Sequence, residues 1–176
     1  MRLHIPSLTE AKELLAAPAR FRGQSVLPDA LPPPVRLENA IAADDHYWTM
    51  PRLFLDDESG RVVGSAGFKF APKDRRVEIG YGVSKAFRSR GYATEGVTLL
   101  TNEAFASGLV DEVDATTDRA NRSSGRVLEK AGFVNYGSGE DAGGPVFLWK
   151  KGRPRQSQDP TPAPFTPAAR QPPRQP

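Results

Sequence analysis

The chain has 176 residues, the length of one domain or of one domain with a tail, and carries 24 Lys and Arg against 21 Asp and Glu for a formal net charge of +3. Lys151, Arg153, Arg155, Arg170 and Arg174 meet only Asp159 across residues 151–176, so the first 150 residues sit at −1 and the basic excess does not make the folded part a nucleic-acid binder. The absence of cysteine excludes disulfides, Cys-ligated zinc, iron–sulfur clusters and a thiol nucleophile; two histidines, His4 and His46, argue against a multi-histidine metal site; and no apolar run nears the ~20 residues of a membrane span.

The opening MRLHIPSLTEAKELL lacks the continuous apolar stretch of a signal peptide, and the expectation is a soluble, cytoplasmic protein. Arg2–Ile5 reads as a short extended piece. Ser7 and Glu10 then form a capping box for a helix with Leu8, Ala11, Leu14 and Leu15 on one stripe, stopped by Pro18. Pro28–Pro34 is a connector, and Leu37 and Ile41, four apart, predict a short helix over Val35–Ala43. Arg52–Leu55 and Arg61–Phe70 read as strands joined by the turn Asp56-Asp57-Glu58-Ser59-Gly60. After a second turn at Pro72-Lys73-Asp74, Arg76–Val83 alternates, with Val77, Ile79, Tyr81 and Val83 on one face and Glu78, Gly80 and Gly82 on the other.

From Ala93 the period becomes helical, with Val97, Leu100, Ala104 and Phe105 on one stripe and Gly108 after its end. Glu112–Thr117 is the next strand, and a second helix runs from Arg122 to Ala131. Phe133–Tyr136 and Val146–Lys150 are the last strands, with Gly137–Gly144 predicted as a loop between them. Residues 1–150 thus form one domain. Residues 151–176 hold eight of the 17 prolines and one aromatic, Phe165, and are predicted to be a disordered tail; an inert tail is favoured over a PxxP ligand.

The chemistry concentrates between Val83 and Leu100, VSKAFRSRGYATEGVTLL. Lys85, Arg88 and Arg90 crowd a short loop, Gly91 lets the backbone turn, and a helix begins at once. A helix start offers unpaired N–H groups and a positive dipole end, a site for a phosphate or pyrophosphate. No GxxxxGK[ST] and no GxGxxG is present, which argues against a P-loop and a dinucleotide fold. The loop is R-x-x-G-x-A, on Arg88, Gly91 and Ala93. Read alone, Arg88 and Arg90 are a solvated basic turn; with Gly91 and the adjoining helix they favour phosphate.

Residues 77–100 resemble the acetyl-CoA-binding segment of the GNAT-type N-acetyltransferases, whose loop pattern is [QR]-x-x-G-x-[GA] between a strand and a helix. EIGYGV before the loop and ATEG after it match that setting. Asn121-Arg122-Ser123-Ser124 and VLEKAGF resemble the family's second region, N-x-x-S followed by a helix ending in K-x-GF. The resemblance covers residues 52–136 and is closest to the branch that acetylates ribosomal-protein N-termini. It implies an α+β fold with a mixed, mostly antiparallel sheet of six or seven strands flanked by helices. Lys85 stands where the family often has proline, and Ser89 where it often has glycine. Leu128 stands where many members carry a tyrosine acid.

The activity implied is transfer of acetyl from acetyl-CoA to a primary amine, on a small molecule or a peptide, with no metal. Acetyl-CoA falls on Tyr81, Gly82 and Val83, on the loop residues Arg88, Ser89, Arg90 and Gly91, on Tyr92, Ala93 and Thr94, and on Asn121. The amine must lose a proton, for which Glu78 is the candidate base, beside Gly80 and Gly82. A splayed strand at Gly80–Val83 is the expected N–H donor to the thioester oxygen. Ser124 is the candidate to protonate the leaving thiolate. Each has a plainer role open to it: Glu78 pairing with Arg76 or Lys69, Asn121 and Ser124 capping a helix, Tyr136 packing, and Asp44-Asp45-His46 making a turn. The rival reading of the whole is a non-catalytic acyl-CoA-binding or regulatory module on the same fold.

Overall fold

The computed structural model describes residues 1–154, so the tail predicted to be disordered lies outside the described residues from Arg155 onward. In chain order the elements are β1 (Arg2–His4), α1 (Leu8–Ala16), β2 (Arg20–Phe21), β3 (Gln24–Ser25), α2 (Pro34–Ala42), α3 (His46–Thr49), β4 (Arg52–Asp56), β5 (Arg61–Phe68), β6 (Arg76–Val83), α4 (Tyr92–Ala106), β7 (Glu112–Asp118), α5 (Arg122–Lys130), β8 (Val134–Asp141) and β9 (Gly144–Gly152). Seven strands form one sheet in the order β1-β4-β5-β6-β7-β9-β8. Every neighbouring pair is antiparallel except β6 and β7. This is the mixed, mostly antiparallel α+β sheet that the sequence implies.

Alternation along β4 and β5 sends side chains into two cores. Leu53, Leu55 and Val62 meet Ala11 and Leu14 of α1 and Leu37 and Ala40 of α2 on one side of the sheet. Phe54, Val63, Val77 and Ile79 meet Val97, Leu100 and Ala104 of α4 and Leu128 of α5 on the other. The capping box of α1 forms as expected, with the Glu10 N–H 3.3 Å from Ser7 Oγ and the Ser7 N–H 2.8 Å from the Glu10 carboxylate. Its buried stripe is narrower than predicted. Leu8 and Leu15 remain 38% and 36% exposed, and Ala11 and Leu14 are the residues of α1 that are buried.

The predicted loop Gly137–Gly144 is the larger correction. It is paired strand on both sides of a tight turn, with Gly137 opposite Leu148, Gly139 opposite Val146 and Asp141 opposite Gly144. Glycines carry no side chain to display a period of two, and β8 is an exposed edge strand with a register shift between Asn135 and Gly137. No hydrophobic alternation exists there to be read. The hairpin of β2 and β3 also escapes the pattern, its strands being two residues each around Arg22 and Gly23 at φ 49° and 79°. The domain also runs past the expected end at residue 150. β9 continues to Gly152, and Arg153 donates from its backbone to Asp111 and from its side chain to Val110, each at 2.7 Å.

Candidate active site

The site begins where β6 leaves β7. Their parallel pairing runs from Arg76↔Glu112 to Ile79↔Ala115 and stops, while β7 continues along β9 to Asp118↔Val146. The Lys69 N–H bonds Glu78 O and the Ser84 N–H bonds Val63 O, both at 2.8 Å. Hydrogen bonding in an antiparallel pair alternates, so the even residues of β6 face β5. The main-chain groups of Tyr81 and Val83 are therefore turned to the gap that β7 has vacated. Arg88 Nε, at 3.3 Å, takes up the Val83 carbonyl.

The loop after β6 makes a 3-10 turn at Lys85–Phe87 and then passes Ser89 at φ 62° and Gly91 at φ 88°. Gly91 is the N-cap of α4, and no side chain caps the helix. The first N–H groups of α4 are left for a ligand, and no atom lies within 4 Å of where a Cβ on Gly91 would stand. Arg90 stacks over Phe87 at 4.7 Å. The Tyr92 hydroxyl donates to Asp56. Hydrogen bonds from Ser59 and from Tyr92 hold the Asp56 carboxyl down at about 2, and the same contact pushes Tyr92 up to about 12.

A cavity of about 520 Å³ opens over this helix start and the β6–β7 gap. Tyr81, Gly82, Val83, Arg88, Ser89, Gly91, Tyr92, Ala93, Thr94, Asn121 and Ser124 all line it. Of the predicted site residues, Arg90 and Glu78 do not. Arg126 and Lys130 of α5 line the same cavity and escaped the sequence reading. Their signal is spacing: Arg122, Arg126 and Lys130 recur every four residues along one helix stripe.

At the inner end of the cavity, Asn121 caps α5, its Oδ1 accepting the Ser124 N–H at 3.1 Å and the Ser123 hydroxyl at 2.7 Å. The Ser124 hydroxyl lies 2.6 Å from the Tyr81 hydroxyl, which also donates to the Ser124 carbonyl at 2.9 Å. Burial pushes the Tyr81 phenol up to about 12.

A second cavity, of about 250 Å³, lies across β6 from the first, between the 31–33 segment and α2 on one side and β5 and β6 on the other. Tyr81 and Gly82 belong to both cavities. Glu78 lines neither. Its carboxylate accepts from Lys69 and, at 2.9 Å, from the Thr116 hydroxyl. Lys69 lines the second cavity, so Glu78 stands behind that wall. Arg76, the other partner considered for Glu78, pairs instead with Glu112 at 2.7 Å and Asp114 at 2.9 Å. Where the sequence predicts a turn at Asp44-Asp45-His46, Asp45 caps the short helix α3, and the His46 ring contacts the Ile41 carbonyl at 3.3 Å.

Residues 8–134 match the family model described as an acetyltransferase (GNAT) domain. A stretch of 90 residues is 31% identical to the uncharacterized N-acetyltransferase YjdG of Bacillus subtilis (strain 168), covering 50% of this chain and 54% of that protein. The chain thus spans about half the length of the curated relatives it matches. The crystal structure of ribosomal-protein-S5-alanine acetyltransferase from Vibrio fischeri superposes with a TM-score of 0.64 at 14% identity, over 85% of this chain and 91% of that one. Aminoglycoside acetyltransferase AAC(6')-Ib in complex with coenzyme A gives a TM-score of 0.61 at 17% identity, over 86% and 94%. At these identities the structural likeness is one of fold. Because the family model spans most of the described residues, from α1 to the start of β8, the chain belongs to the GNAT acetyltransferase family.

Proposed function

We propose that the chain is an acetyl-CoA-dependent N-acetyltransferase that moves acetyl to a primary amine, of a small molecule or a protein N-terminus, by direct attack. One observation carries this reading: an uncapped helix start behind a left-handed glycine opens into a cavity that shares Tyr81 and Gly82 with a second, separate cavity. Such a shared wall lets a donor and an acceptor meet across one strand. The aminoglycoside enzyme of the same fold was solved with coenzyme A, and MccE, a microcin C7 self-immunity acetyltransferase, with acetyl-CoA and AMP, which supports the choice of donor.

In this reading the pyrophosphate lies on the first N–H groups of α4, with Arg88, Arg126 and Lys130 supplying positive charge. The pantetheine arm follows the edge of β6 that β7 has left, with the turned N–H groups of Tyr81 and Val83 as partners. An N–H on that edge also serves the thioester oxygen as negative charge gathers on it during attack. The C–N bond forms, the C–S bond breaks, and the sulfur leaves as a thiolate that takes a hydrogen bond or a proton from Ser124. The amine's proton passes to Glu78 through water, because the carboxylate, held by Lys69 and the Thr116 hydroxyl, lines neither cavity.

The test has two arms. Acetyl-CoA should raise the melting temperature with the logarithm of its concentration where ATP and NAD do not. Thiol release from acetyl-CoA should then depend on an added amine. Stabilisation by ATP alone rejects the donor; binding of acetyl-CoA without turnover on any amine leaves the non-catalytic module. Glu78→Gln should cut turnover by about 10²–10⁴ near neutrality, less at high pH where more amine is already neutral.

A further inference from the structure

We infer that the acceptor is a compact monoamine that carries a carboxylate, an amino acid or a molecule of that build, with the carboxylate held by Arg36. The inference rests on the transferase reading above and concerns the second cavity alone.

The second cavity is small. At about 250 Å³ the cavity falls below the ~300–1,000 Å³ of pockets that enclose drug-sized ligands. Leu31, Pro32, Pro33, Ala40, Pro51 and Phe68 give it apolar walls. At that volume the cavity does not enclose an extended polyamine or a multi-ring sugar.

The walls carry two cationic side chains, Arg36 and Lys69, and no carboxylate. Lys69 is neutralised by Glu78 behind it. Arg36 projects from α2 and donates from one Nη to the Lys69 carbonyl at 3.3 Å, which ties the guanidinium to the β5 wall. Among the described residues no carboxylate lies within 4 Å of Arg36, in contrast to Arg52, Arg75 and Arg76, each of which is paired. A guanidinium has five N–H donors in a flat fork matched to a carboxylate, and most of those on Arg36 remain uncommitted to any acid. A polycationic acceptor entering here would meet like charge with nothing to offset it.

Arg36 is on the α2 side of the cavity, whereas Gly82 and Tyr81, shared with the donor cavity, are on the β6 side. A molecule with a carboxylate at one end and an amine at the other is oriented by that polarity, with its amine toward the donor.

The experiment uses the full chain, acetyl-CoA and a thiol-release assay on leucine, methionine and phenylalanine. It sets each against its carboxamide and a dipeptide beginning with it, with spermidine and kanamycin as polycations. The free amino acids should exceed their amides by about tenfold or more in kcat/KM, through KM. Arg36→Gln should bring that ratio near one while the Kd for acetyl-CoA, read by calorimetry, stays put; Arg36→Glu should favour the amides. Equal or better turnover of the amides, dipeptides or polycations by the unaltered protein overturns the assignment. So does a ratio that survives Arg36→Gln, or acetyl-CoA binding with no turnover of any carboxylate-bearing amine. Failure to bind acetyl-CoA at all is a different result: it removes the transferase reading, and the acceptor assignment falls with it.

Discussion

The Tyr81 hydroxyl lies 2.6 Å from the Ser124 hydroxyl and 2.9 Å from the Ser124 carbonyl, and it joins the strand shared by the two cavities to the helix that closes one of them. A carbonyl only accepts, and a phenol has one proton. With the phenol proton on the Ser124 carbonyl, the Ser124 hydroxyl donates to the phenol oxygen. Only when the phenol proton turns to the Ser124 hydroxyl is that hydroxyl free to direct its own proton into the cavity. With its pKa at about 12, Tyr81 keeps its proton at neutral pH, so it acts by holding Ser124 rather than by ionising. Leu128 leaves no tyrosine at the family's usual place.

Tyr81→Phe should therefore lower kcat about tenfold with the Kd for acetyl-CoA little changed, and Ser124→Ala should lower it further. Because the two act as one unit, the double variant should be no slower than Ser124→Ala alone. Additive losses in that cycle would show that the phenol acts on substrate independently of Ser124.

The loop holds a second testable contrast. Ser89 sits at φ 62° with an ordinary side chain, and left-handed backbone costs a residue with a Cβ about 1–2 kcal/mol. The family's frequent glycine at this place has a physical reason. Ser89→Gly should stabilise the fold by up to about 1 kcal/mol, a rise of about 2–4 °C in melting temperature, after the added freedom of the unfolded chain is set against it. Gly91→Val should do the opposite to the site. Its φ of 88° disfavours any Cβ, and the added methyls would occupy space otherwise open over the helix start. Acetyl-CoA binding should be lost with the melting temperature lowered only modestly. Undiminished binding by Gly91→Val places the phosphate elsewhere.

What the sequence made legible follows from where side chains report their surroundings. β6 and α4 announce themselves because one face of each is buried in a single core, so Val77, Ile79, Val97 and Leu100 keep strict periods. The turn into α4 was legible because Gly91 and the helix start are local features. Arg36 and the second cavity were not, because that cavity is assembled from the 31–33 segment, α2, β5 and β6, which are distant in the chain. Glu78 shows the same limit. Its choice between Lys69 and Arg76 depends on β7, whose Glu112 and Asp114 draw Arg76 away.

Asp56 predicts an acid limb. Ser59 and Tyr92 hold its pKa at about 2 against an ordinary 3.8, so the carboxylate stabilises the native state at pH values above 3.8. That contribution is lost as pH falls from 3.8 toward 2, and its size is on the order of 1–2 kcal/mol. Asp56→Asn should flatten stability against pH across that window in denaturant titrations, and Tyr92→Phe should flatten it in part. Tyr92 opens α4, so acetyl-CoA affinity should weaken in both variants. A pH profile unchanged by Asp56→Asn would assign the acid limb to other carboxylates.

The placement of α4 against the sheet rests on Phe54. A Cβ on Gly96 would lie 2.2 Å from the Phe54 ring, and one on Gly64 would lie 2.8 Å from the same ring and 2.5 Å from the Gly82 carbonyl. The ring is itself fully buried, with no room to swing aside. Gly96→Ala must then push α4 away from β4 and β5, at a cost of about 1–3 kcal/mol. Because Gly91 and the first N–H groups ride on α4, the shift carries the phosphate site away from β6, and acetyl-CoA affinity should fall along with the melting temperature. Phe54→Leu in the Gly96→Ala background removes the ring that collides and should recover part of both, although Phe54→Leu alone destabilises by leaving a void. The Gly64 contact separates this account from one of simple crowding. Gly64→Ala meets the Gly82 backbone as well as the ring, so Phe54→Leu should rescue it much less. Equal rescue at the two positions would mean that the ring, and not the β5–β6 backbone, sets both distances.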